Sequence, residues 1–165
     1  MDALTGTLDA FSRWTAKVIR WLALAMVLVQ FAIVMGRYVF GVNSIAVQES
    51  VLYMHSMLFM LGAAYTLLVG KHVRVDVFYA KVKTETQRRI DIFGHVALLI
   101  PSMLALLYWS WPSVINSWAI LEGPISVGGI KAVFLMKSLI PAFCILLVLQ
   151  SLSLLIRILI SRQRP

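Results

Sequence analysis

The chain has 165 residues, of which 61% are hydrophobic and 13% charged, with a net charge of +8 and a mean hydropathy of +0.88. As a soluble domain it would leave far more apolar surface in water than globular proteins tolerate, so the composition predicts an all-α integral membrane protein. The positive charge does not point to nucleic acid, because Lys and Arg gather at the ends of apolar segments instead of forming a soluble basic face, and the lone Cys144 excludes an internal disulfide.

In chain order, residues 1–20 set Leu4, Leu8, Phe11, Thr15 and Val18 at three- and four-residue spacing, with Asp9, Arg13, Lys17 and Arg20 elsewhere. That pattern predicts an interfacial amphipathic helix leading into a first span over 21–40. A cleavable signal peptide would need a shorter apolar core and a small-residue exit, and neither is present. Gly41, Asn43 and Ser44 predict a short turn that returns the chain beside itself.

The second span covers 49–70, with an uncharged run from Ser50 to Gly70 long enough to cross a hydrocarbon core of about 30 Å. Gly62, Thr66 and Gly70 fall four apart within it, which suits close helix packing, either generic or against another subunit. Beyond it, Val75, Phe78, Tyr79 and Val82 suit a second interfacial segment over 75–83, with Lys81 and Lys83 towards water. Thr84 followed by Gln87 reads as a capping box that starts a third helix over 85–111. Pro101 should bend this helix and Pro112 mark its exit, where Tyr108, Trp109, Trp111 and Trp118 gather as an aromatic belt. A long loop from Ser113 to Ala132 then leads to a fourth span over 134–157.

Orientation follows from the basic residues. Twelve Lys and Arg lie in the N-terminal segment, the middle loop and the tail, against three (Arg37, Lys131, Lys137) on the opposite side. Both termini are therefore expected in the cytoplasm. Arg37, Glu49, Glu122 and Lys137 then share one depth near the outer face, either as solvated helix ends or as pairs that lock helices together. Gln48 and His55, seven apart on one face, are expected to hydrogen-bond between helices. His72, Arg74 and Asp76 are expected to tie the middle loop to neighbouring helix ends.

The sequence holds no catalytic constellation, so no enzyme is expected: it lacks a paired-histidine metal motif, a nucleophile with a neighbouring base, and a phosphate-cradling glycine loop. Haem held between helices, as in anchor subunits of membrane redox enzymes, is the alternative. His55 and His95 lie at opposite depths and cannot clamp one iron, which leaves only His72 with His95. A small autonomous exporter is the other rival, but Glu49 is its sole candidate carboxylate and lies shallow. Four spans without an inverted repeat or a discontinuous helix pair fit an accessory subunit better.

Arg37-Tyr-Val-Phe, Gln48-Glu49, Leu61-Gly62-Ala63-Ala64-Tyr65 and His72-Val-Arg-Val-Asp76 occur in order, followed by Glu122, Lys137, Ile140-Pro141 and Leu149-Gln150. In these residues the chain resembles the small Q-type, DctQ-like membrane subunit of tripartite ATP-independent periplasmic (TRAP) transporters over nearly its whole length. The resemblance implies a multi-pass protein of the bacterial inner membrane that binds no cofactor and no nucleic acid. It also implies a large M-type membrane subunit, carrying the substrate and Na+ sites and moving as an elevator, and a periplasmic binding protein that delivers an organic acid. The small subunit would be a rigid scaffold seated in membrane lipids, with its outer loops placed where the binding protein could dock.

Overall fold

The computed structural model describes residues 2–70, 83–124 and 126–160, with side chains from residue 6 onward. Among the described residues every regular element is helical, and four helices are long and apolar enough to cross a membrane. We number them α1 (Asp2–Val39), α2 (Ile45–Leu68), α3 (Thr84–Ala119) and α4 (Val133–Ile160). The expected interfacial segment 75–83 lies, except for Lys83, outside the described residues.

Residues 2–39 form one uninterrupted helix of roughly 57 Å, so the segment 1–20 and the span 21–40 are parts of a single element. Nothing in its sequence would stop it, because it contains no proline and only isolated glycines. It ends at Gly41, where φ is +64° and the Val42 N–H donates back to the Gly36 carbonyl at 2.9 Å. α2 then runs antiparallel beside α1.

The amphipathic reading of the first 20 residues is corrected in one respect. The face of α1 that packs inward carries Asp9, Ser12, Thr15 and Ile19, all buried, whereas Phe11, Trp14, Val18 and Trp21 point outward. The physical reason is the solvent: hydrocarbon accepts the apolar stripe, and polar groups find partners only inside the protein.

α3 also departs from expectation. It begins at Thr84, but Lys83 occupies the N-cap position and no side chain caps it, so the capping box is not formed. Residues Gly94–Leu99 form a π-helical segment in which the Ile100 N–H reaches the His95 carbonyl. Pro101 follows directly; its ring would clash with the carbonyl four residues back, and the widened turn accommodates it. The helix then passes through Pro112, continuing to Ala119, so the connection to α4 spans only 120–132. Among packed helices an internal proline is tolerated.

α4 lies between the α1/α2 pair and α3 and is the most buried of the four. Cys144, Leu147, Gln150, Ser151, Ser153 and Leu155 are enclosed on it. Cys144 is a free thiol packed as a small hydrophobe. Antiparallel packing places the N-terminal part of α1 beside the C-terminal part of α4. The molecule thus has a termini end and an opposite loop end, formed by residues 40–44 and 120–132.

Candidate functional site

At the termini end, a wholly buried carboxylate organises the packing. Asp9 Oδ1 accepts hydrogen bonds from Gln150 Nε2 and Ser153 Oγ, both at 3.1 Å, and Oδ2 accepts one from Arg157. Arg13, one turn along α1, adds a looser ion pair at 3.8 Å. The Ser12 hydroxyl donates to Gln150 Oε1 at 2.7 Å, so the Gln150 amide uses both ends. On the other flank of α4, His95 Nδ1 lies 2.8 Å from Ser151 Oγ. Arg88 donates to the Ile158 carbonyl near the end of the described part of α4.

These residues converge because of their spacing. Asp9, Ser12 and Ile19 recur at helical intervals on α1, while Gln150, Ser153 and Arg157 recur at i, i+3 and i+7 on α4. Every polar group of the knot that is fully enclosed has a partner, which is the condition under which a buried ionic network holds helices in one register. Sequence reasoning missed this knot because it assigned Asp9 to the watery side of an interfacial helix.

At the loop end the ties are shorter in reach and closer to solvent. Lys137 Nζ lies 2.5 Å from Glu122 Oε2, with about a third of each side chain exposed. The Lys137 ammonium beside it holds the Glu122 carboxyl below the usual carboxylate range. α3 ends in a turn where the Leu121 N–H donates to the Trp118 carbonyl and the Glu122 N–H to the Ser117 carbonyl, with Leu121 at φ +46°. This aims Glu122 at α4. Trp118 Nε1 donates to Ser138 Oγ at 2.8 Å, and its ring meets Phe134 edge-on.

Glu49 has a different partner from the cations considered for it. Its Oε2 accepts the Ile130 backbone N–H at 2.7 Å, and the carboxylate lies so close over Gly129 that a Cβ there would overlap it. The loop before α4 is thereby fastened to α2.

The remaining sequence candidates are dispersed. Gly62 lies at the α1/α2 contact, where a Cβ would come 3.2 Å from Ile19 Cδ1. Gln48 donates to Asn43 Oδ1 at 2.5 Å within its own turn, and His55 is exposed with its ring near Phe59. Neither makes the expected bond to another helix among the described residues. Both line, with Arg37 and Gln30, an open groove of about 510 Å³ between α1 and α2. His72, Arg74 and Asp76 lie outside the described residues. His95 is enclosed against α4 while His55 faces outward, and among the described residues no cluster of three or more His, Cys, Asp or Glu could hold a metal. The arrangement serves packing and attachment.

No curated protein and no solved structure matches the chain. Residues 26–160 match the family described as tripartite ATP-independent periplasmic transporters, DctQ component, a family of transporter components and not of enzymes. The match takes in the C-terminal part of α1, from residue 26, and all of α2, α3 and α4; with four membrane-crossing helices among the described residues, the chain belongs to the DctQ family of small TRAP transporter components.

Proposed function

We propose that this chain is the rigid small permease subunit of a sodium-driven TRAP transporter for organic acids, and that it steadies a large elevator-type membrane subunit in the bacterial inner membrane. A domain that slides through lipid needs a neighbour that does not move with it. The observation that carries this reading is that α4 is fastened to its neighbours at both ends, by the Asp9 knot and by the Glu122–Lys137 and Trp118–Ser138 ties. The exposed rings of Trp14, Trp21, Trp109 and Trp111 give the bundle anchors at the lipid boundary.

Both termini face the cytoplasm on this reading, as the distribution of Lys and Arg favours, and the 120–132 loop faces the periplasm. The binding protein docks there, with Glu122 on the accessible side. Na+ and substrate bind to the large subunit, and this chain carries no cofactor.

The test is reconstitution. Vesicles holding both membrane subunits, supplied with the loaded binding protein and a sodium gradient, accumulate the organic acid. Vesicles with this chain alone accumulate nothing, and vesicles with the large subunit alone lose most of the uptake. Accumulation by this chain alone would refute the proposal.

A further inference from the structure

Polar side chains that meet hydrocarbon without a partner are costly, so their placement marks where a partner belongs. The groove between α1 and α2 holds four polar side chains in two rungs, of which, among the described residues, only Gln48 has a hydrogen-bond partner, in Asn43. Gln30 and Arg37 are seven apart on α1, and Gln48 and His55 are seven apart on α2, all four lining the same groove. Because the helices are antiparallel, Arg37 is level with Gln48 near the loop end, and Gln30 is level with His55 roughly 10 Å deeper. Among the described residues the Gln30, Arg37 and His55 side chains make no hydrogen bond or ion pair, although the Asp9 knot and the loop-end ties are well paired.

Resting on the reading proposed above, we infer that this groove seats a transmembrane helix of the large subunit. That helix presents a carboxylate opposite Arg37 and, seven residues away, a hydrogen-bonding side chain level with Gln30 and His55. Charge and depth select this occupant. A second copy related by a two-fold axis along the membrane normal would bring Arg37 towards Arg37, and the groove lining has no acid to answer it. A phospholipid headgroup could meet Arg37 but would leave the Gln30 and His55 rung against its acyl tails. A helix carrying polar groups at heptad spacing satisfies both rungs at once.

The test uses the intact complex in native membranes, with p-benzoylphenylalanine replacing Leu52, an exposed residue of the groove, or Tyr108, an exposed residue of α3 outside it. Irradiation is expected to link position 52, and not position 108, to the large subunit. In a separate arm Arg37→Glu lowers the large subunit recovered with this chain by about tenfold, while the helical circular dichroism of the variant is unchanged. Adducts from position 52 only to lipid or to a second copy, or a link to the large subunit from position 108 alone, would overturn the inference. If the unsubstituted chain recovers no large subunit at all, the proposed function itself fails, and the inference with it. If the large subunit is recovered and position 52 stays silent, only the groove assignment fails.

Discussion

The two ends of the bundle solve the same problem in different ways. At the termini end a carboxylate with no exposed surface gathers donors from two elements, with an amide and a hydroxyl on one oxygen and a guanidinium on the other. At the loop end the carboxylates stay about a third exposed or rest on a backbone N–H, and each tie involves one pair. An ionic contact removed from water cannot lose a partner without stranding a buried charge, whereas one at the surface can be replaced by water. The termini end is therefore built to set helix register, and the loop end to hold a surface in place.

The largest expected effect comes from breaking the enclosed knot. Asp9→Ala strands Gln150, Ser153 and Arg157 together and should lower stability by about 3–5 kcal/mol, read as a clear fall in the thermal unfolding midpoint in detergent. Asp9→Asn keeps the oxygen that faces Gln150 and Ser153 and should lose less. Next, Gly129→Ala would drive a methyl group into the Glu49 carboxylate. The carboxylate can swing aside, so the cost is its hydrogen bond to Ile130, about 0.5–1.5 kcal/mol, with faster proteolysis of the 120–132 loop and no change in protection at Arg157.

Smaller changes sharpen the contrast. Leu121 holds a left-handed conformation that glycine adopts freely, so Leu121→Gly should raise stability by about 1 kcal/mol in the same thermal measurement. The smallest effect concerns the Glu122–Lys137 pair. Its folded-state carboxyl titrates below the ordinary range, so its contribution is complete above that range and is lost as pH falls through the lowered value. Glu122→Gln should remove this acid-side dependence of the unfolding midpoint, lowering the neutral-pH value slightly to the one seen in acid and leaving the acid value nearly unchanged.

Much of this architecture was legible in the sequence. Apolar run length gives four spans, and Glu122 with Lys137 could be matched because charges at one depth have few partners available. The Asp9 knot was hidden because amphipathic reasoning places polar residues in water, and in a membrane the polar face turns inward. The matching intervals of Asp9 and Ser12 on α1 and of Gln150, Ser153 and Arg157 on α4 were the available signal. Pro112 misled for a related reason: proline ends helices in water, where freed carbonyls are easily solvated, but α3 continues through it. Gln48 and His55 were expected to bond between helices, but Gln48 donates instead to Asn43 in its own turn and His55 faces outward, because seven-residue spacing places both on one face without saying what that face meets.

Rigidity is the property on which the scaffold reading stands. It is measured most directly by electron–electron distances between spin labels at positions 14 on α1 and 159 on α4, in a Cys144→Ala background within the complete transporter. The distance distribution should be the same with and without sodium and loaded binding protein, while a pair spanning this chain and the moving domain of the large subunit shifts. A change in the 14–159 distance during transport would contradict the account.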